Sequence, residues 1–154
     1  MNDTIHSSRR SEQDLARRLV TASGARPADV VTIAGSGHIE ILIELIRRGF
    51  SDVLCRSAVD GPHMATPPAD VLLAPNVTSE TDLDSVLKRL GSDLRPCGIL
   101  ALSIPPIFSS LDERRLRRRL FECGFTAIER IAGRGDAGTL WCARKHAAAV
   151  RHAA

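Results

Sequence analysis

Apolar positions fall into two rhythms that alternate along the chain. Short unbroken runs rich in β-branched residues occur at about 29–34, 51–56 (core Val53-Leu54-Cys55), 70–74, 98–104, 125–131 and 138–144. Continuous apolar runs of that length are the pattern of strands buried on both faces. Between them, apolar residues recur at helical spacing. Leu15, Leu19 and Val20 follow an expected helix start at Ser11 with Glu12 and Asp14, and Gly24 and Pro27 close that helix. Residues 37–48 carry Ile39, Ile41, Leu42, Ile43, Leu45 and Ile46, apolar on nearly every face, so this helix is expected to be buried. Gly49 is its expected C-cap, and Glu44 is placed to pair with Arg47 or Arg48. A further helix starts at Ser79 or Thr81 and presents Leu83, Val86, Leu87, Leu90 and Leu94. The last one, about 111–123, follows a capping box of Ser110 with Glu113 and leaves Leu111, Leu116, Leu120 and Phe121 for the core.

Strands that alternate with helices predict an α/β fold: a mostly parallel sheet with helices on both faces. Gly133-Arg134-Gly135-Asp136 between the last two strands makes them an antiparallel hairpin. Residues 58–69 hold three prolines and no periodicity, which reads as loop. One domain over 11–144 is expected, flanked by a disordered stretch at 1–10 and a flexible tail at 145–154.

Composition changes this picture little. A hydrophobic share of 44% with 25% charged residues is that of a soluble domain, and no apolar run approaches the roughly 20 residues that span a bilayer. The first residues lack the basic-then-apolar build of a signal peptide, so the expected location is cytoplasmic. Cys55, Cys97, Cys123 and Cys142 are widely spaced without a Cys-x-x-Cys pair, which suits buried thiols better than a metal site. The net charge of +3 and the absence of tyrosine argue against a base-stacking nucleic-acid surface. Arg114, Arg115, Arg117, Arg118 and Arg119 form either a solvated helix face or a patch for nucleic acid or an acidic partner.

The chemistry concentrates at Val30–His38, where a buried strand runs into Gly35-Ser36-Gly37-His38 and then a helix. A glycine turn there lets a ligand lie against bare backbone. The stretch Ala28–Gly37, the turn Gly49-Phe50-Ser51-Asp52-Val53, the run Ala69-Asp70-Val71-Leu72-Leu73, Leu94-Arg95-Pro96-Cys97-Gly98-Ile99-Leu100 and Glu122-Cys123-Gly124-Phe125 occur in an order that resembles a class I S-adenosylmethionine-dependent methyltransferase. The resemblance spans roughly residues 12–144. It implies that family's Rossmann-like fold and its strand order with the third strand missing, so that the second strand becomes an edge, either covered by the proline-rich 58–69 loop or open as a dimer contact. It also implies S-adenosylmethionine as cofactor, with Gly35, Ser36, Gly37, His38, Arg56, Ser57 and Asn76 as the residues nearest to it.

The departures are specific. Ile33 stands where the family has an acid and Ile39 where it has a third glycine, and Arg56-Ser57 occupy the place of the carboxylate that binds the ribose hydroxyls. Losing a charge-assisted hydrogen bond of about 1.5–3 kcal/mol weakens binding roughly ten- to a hundredfold, unless Asp60 in the following loop substitutes. Arg56 either favours an anionic ligand or is a solvated strand end. Glu40 in the first helical turn opposes a pyrophosphate, which disfavours the NAD(P)-binding alternative. His38, its pKa expected to be lowered by the helix dipole, is a capping residue, a ligand contact or a general base. Asn76 is either substrate-facing or an Asx turn; His63 and Ser103 are further polar positions without an assigned role. Two functional classes follow: a methyltransferase of unspecified acceptor, or a non-catalytic binding or scaffold protein that homo-oligomerises on the retained fold.

Overall fold

The computed structural model describes residues 3–35, 38–57, 67–108, 112–131 and 138–147. Helix α1 (Asp3–Ser23) precedes β1 (Val31–Ala34), α2 (Ile39–Arg47) and β2 (Val53–Arg56). Strand β3 (Ala69–Ala74) leads into α3 (Glu80–Ser85), which continues as a π turn over Val86–Leu90 and a 3-10 turn over Gly91–Asp93. Then come β4 (Leu94–Ile104), a 3-10 turn (Pro106–Phe108), α4 (Glu113–Glu122), β5 (Phe125–Ile131) and β6 (Thr139–Lys145). The six strands form one sheet in the order β2-β1-β3-β4-β6-β5. β2, β1, β3 and β4 are parallel, while β6 runs antiparallel to β4 and β5. The expected α/β fold and terminal hairpin are therefore present, and β2 is an edge strand. The turn expected at Gly133–Asp136 lies outside the described residues.

Strand alternation divides the core in two. Val31, Ile33, Val71, Leu73 and Ala101 face α1 and α2, where they meet Leu19, Val20, Ile41 and Leu45. Leu72, Leu100, Leu102 and Trp141 face Leu83, Leu87, Leu116 and Leu120 on the other side. Each fully buried leucine contributes roughly 1.5–3 kcal/mol through the water it sheds.

Several local expectations change. Helix α1 begins at Asp3, well before Ser11, so Glu12 lies within the helix rather than in a capping box, and residues 3–9 are helical. α2 buries Ile41 and Leu45 but leaves Ile39 62% and Ile46 60% exposed. It packs on α1, where one inward stripe suffices, and Ile39 and Ile46 lie off that stripe. Asp112, not Ser110, caps α4, its carboxylate accepting from the Arg114 N–H at 3.3 Å; Ser110 is outside the described residues. Phe121 is 69% exposed because Leu116 and Leu120, four residues apart, already define the inward stripe. Ser79 rather than Thr81 caps α3, accepting from Asp82 N–H at 3.1 Å.

The strand expected from Gly98 starts at Leu94. Its register with β3 shifts between Ala69 and Val71, so Arg95, Pro96 and Cys97 bulge outward, with Cys97 at φ +65°. Asp70 ties this region together: one carboxylate oxygen accepts from Val30 N–H at 2.8 Å and the other from Arg95 at 2.7 Å. Lys145 ends β6 rather than opening a tail, and its ammonium donates to the carbonyls of Gly91 (2.7 Å), Ser92 (3.2 Å) and Leu94 (2.7 Å).

Arg115, Arg117 and Arg119 of α4 are engaged with neighbouring elements, while the exposed Arg118 faces Glu122 of its own helix at 3.9 Å. Arg119 bridges to Asp84 at 2.6 Å and Arg115 to Glu80 at 3.1 Å, fastening α4 to α3. Arg117 pairs with Glu113 at 3.1 Å, donates to the Ile128 carbonyl at 2.9 Å and lies 5.2 Å from the centroid of the buried Trp141 ring. No described helix is long and apolar enough to cross a membrane.

Candidate functional site

β1 connects outward to β2 on one side, while β3 lies on the other. A crevice opens at the carboxyl ends of β1 and β3 wherever chain order splits this way, and ligands of open α/β sheets bind there. In this protein that crevice is a cleft of about 130 Å³ lined by Glu12, Leu15, His38, Glu40, Ile41, Pro75 and Asn76. The strands that end beneath it supply Gly35 and Pro75, and α2 begins beside it.

The sequence candidates separate into two groups. His38 and Asn76 line the cleft together. Asn76 sits at φ +53°, a left-handed turn that asparagine tolerates, and its side chain is exposed. Gly35 adopts φ +100°, which requires glycine, and its amide donates to the Arg56 carbonyl at 2.7 Å. Arg56 and Ser57 end the edge strand and do not line the cleft. The Arg56 side chain faces the α3 side of the sheet, as Leu54 does, and its guanidinium forms an ion pair with Asp93. Arg56 is 8% exposed. Ser36, Gly37, Asp60 and His63 lie outside the described residues.

His38 occupies the N-cap position of α2 but makes no side-chain cap hydrogen bond. Its imidazole instead lies over Gly35. A Cβ built on Gly35 would fall 2.8 Å from His38 Nε2 and 3.3 Å from Cδ2, so the open face of the glycine is covered by the ring. Burial pushes the His38 pKa below its ordinary value, and the Glu12 carboxylate opposes that shift. The direction is the expected one, but desolvation rather than the helix dipole is its main cause.

Glu12 and Leu15 were not anticipated in the cleft. α1 must run back across the sheet to deliver the chain to the start of β1, which puts its N-terminal half at the carboxyl ends of the strands. The only signal for this was the length of the helix, and the apparent capping box at Ser11 concealed it.

No family model matches the chain, and no curated protein matches it by sequence. Solved structures do match. Magnesium protoporphyrin IX methyltransferase from Synechocystis PCC 6803, solved with bound S-adenosylmethionine, superposes with a TM-score of 0.68 at 16% identity, covering 94% of this chain and 85% of that one. A S-adenosylmethionine-dependent methyltransferase from Archaeoglobus fulgidus gives 0.66 at 12% identity over 87% and 94%. The 1,6-didemethyltoxoflavin-N1-methyltransferase of Burkholderia thailandensis, solved with S-adenosylhomocysteine, gives 0.62 at 17% identity over 88% and 78%. The fold is that of a class I S-adenosylmethionine-dependent methyltransferase.

Against this methyltransferase-like fold, the cleft suits one end of a molecule such as the S-adenosylmethionine bound in the Synechocystis structure and not the other. Two carboxylates, Glu12 and Glu40, and no lysine or arginine among its described lining residues suit a cationic sulfonium or ammonium group and oppose a phosphate. The glycine face is occupied by His38, and the cleft is smaller than the roughly 300 Å³ at which small-molecule sites begin. At the end of β2, where a ribose would need an acceptor, stands an arginine already held by Asp93.

Proposed function

We propose that the protein binds S-adenosylmethionine or S-adenosylhomocysteine weakly, in the crevice between the ends of β1 and β3, and works in the cytoplasm. The observation that carries this reading is the pairing of an acid-lined cleft with the crossover point of this fold. Glu12 and Glu40 would face the cation-bearing amino-acid end, and Asn76 would offer an amide at the rim. When bound, S-adenosylmethionine supplies an electrophilic methyl group; the chain's own part would be to bind and orient. The methyltransferases that share the fold contain these ligands, which supports the choice among cationic molecules. Isothermal titration with S-adenosylmethionine and S-adenosylhomocysteine, with NADH as comparator, tests it. Dissociation constants in the high micromolar to millimolar range for the first two, and none for NADH, are expected. No heat from either sulfur ligand at millimolar concentration, or tighter binding of NADH, overturns it.

A second reading, a non-catalytic protein that self-associates, is favoured by a different feature. The two sheet edges are unlike. β5 carries Glu129, Arg130 and an irregular register at Ala127, φ +49°, which are devices that discourage strand pairing. β2 bears no charge or proline along Val53-Leu54-Cys55, and Leu54 is 39% exposed. Parallel pairing with β1 directs the backbone groups of alternate residues, Val53 and Cys55, away from the sheet. Two copies related by a two-fold axis would pair these edges antiparallel. Light scattering coupled to size exclusion should then show a dimer that Leu54→Lys converts to monomer; a monomer at all concentrations removes this reading.

A further inference from the structure

The position of the His38 ring has a consequence for how any ligand enters. We infer that His38 is a built-in plug: its imidazole occupies the bare face of Gly35 at the mouth of the β1–β3 crevice, and a ligand gains that face only when the ring swings away. This rests on the reading of the crevice as a ligand site. The geometry is direct. Nε2 and Cδ2 lie 2.8 and 3.3 Å from where a Cβ on Gly35 would be, which is the space an approaching ligand atom would take. The ring also lines the cleft, and nothing anchors it through a helix cap. Glycine at φ +100° leaves a face that only a neighbouring group or a ligand can cover, and here the neighbour covers it.

A ligand that binds only the open arrangement has its affinity reduced by the fraction of time the ring is open. If that fraction is about one in ten, removing the ring raises affinity about tenfold. His38→Ala should therefore bind S-adenosylhomocysteine about ten times more tightly than the parent chain. His38→Phe, which keeps a ring of similar size, should bind no better than the parent. An observation free of ligand accompanies these titrations: the α-protons of Gly35 should carry a ring-current shift in the nuclear magnetic resonance spectrum that His38→Ala abolishes. The same shift should fade in the parent chain as S-adenosylhomocysteine is added.

The outcomes separate the plug from the reading beneath it. Parent and His38→Ala binding equally well keeps the ligand site and overturns the plug. A Gly35 shift unchanged by His38→Ala overturns the plug by showing that the ring lies elsewhere. Tighter binding by His38→Ala than by the parent, with His38→Phe no better than the parent, supports the plug. No binding by either chain removes both, because an emptied glycine face that still takes no ligand was not being guarded.

Discussion

Arg56 stands where the sequence pattern asks for a ribose-binding acid, and the structure turns it into a strut between the edge strand and the corner before β4. Replacing Asp93 with alanine removes the carboxylate that Arg56 meets there, while Arg56 itself remains 8% exposed. A hydrogen bond to a charged group contributes about 1.5–3 kcal/mol. The Asp93 side chain is 39% exposed, so water screens the pair and the lower part of that range applies, about 1.5–2 kcal/mol. For a domain of this size each kcal/mol moves Tm by about 2–4 °C, which gives a fall of roughly 3–8 °C. Arg56→Met keeps the apolar stem and removes the guanidinium. In a double-mutant cycle, Arg56→Met with Asp93→Ala should cost less than the sum of the single changes by about 1 kcal/mol or more. Urea denaturation of the four proteins supplies the energies, and titration with S-adenosylhomocysteine supplies the contrast: Arg56→Met should change that affinity less than about threefold, roughly half of a tenfold step in free energy. A variant that loses tenfold in affinity with an unchanged denaturation midpoint would show that Arg56 serves the ligand and refute the strut.

Three further outcomes follow from the geometry. Gly35→Ala forces an L-residue into φ +100° and should cost about 1–2 kcal/mol in urea denaturation; adding His38→Ala relieves the contact with the ring but not the backbone strain, so most of the loss persists. Burial lowers the His38 pKa, so the unfolded chain takes up the proton first as pH falls through about 6.5, and stability is lost from there down to the folded-state value. His38→Gln should flatten that part of a Tm-against-pH curve, whereas an unchanged slope would point to another group. Cys55 and Cys97 are exposed, while burial pushes the Cys142 thiol up to about 11 and its Sγ donates to the Ala22 carbonyl. Iodoacetamide at mildly alkaline pH should therefore modify Cys55 and Cys97 first and Cys142 only on unfolding, as read by peptide mass.

The fold was legible because it depends on periodicity, which is local. The continuous run Val71-Leu72-Leu73-Ala74 announces a strand buried on both faces, and the Leu116–Leu120 spacing announces a helix with one inward stripe. What the pattern could not convey was how many neighbours each helix would have. Ile39, Ile46 and Phe121 are apolar yet exposed, since hydrophobicity alone does not say whether a second layer arrives to cover it. The site was legible only in part, for a related reason. Gly35, His38 and Asn76 are marked by their place at strand ends. The partners that decide their chemistry come from far along the chain: Glu12 from α1 for His38, and Asp93, 37 residues away, for Arg56.

The place of β6 in the sheet bears on the order in which this chain acquires its structure. It follows β5 in sequence yet lies between β4 and β5, and β6 is the strand with which β5 pairs among the described residues. During vectorial synthesis β5 therefore emerges with no strand to lie on, and the β4 edge, with Ala101 and Leu102, stays open until β6 arrives. The natural route is for β5 and β6 to close as a hairpin, within microseconds once both are available, and then dock as a unit on β4. Until that moment β4 is an apolar template without its partner, the interval in which a nascent chain of this design is most exposed to pairing with a neighbour.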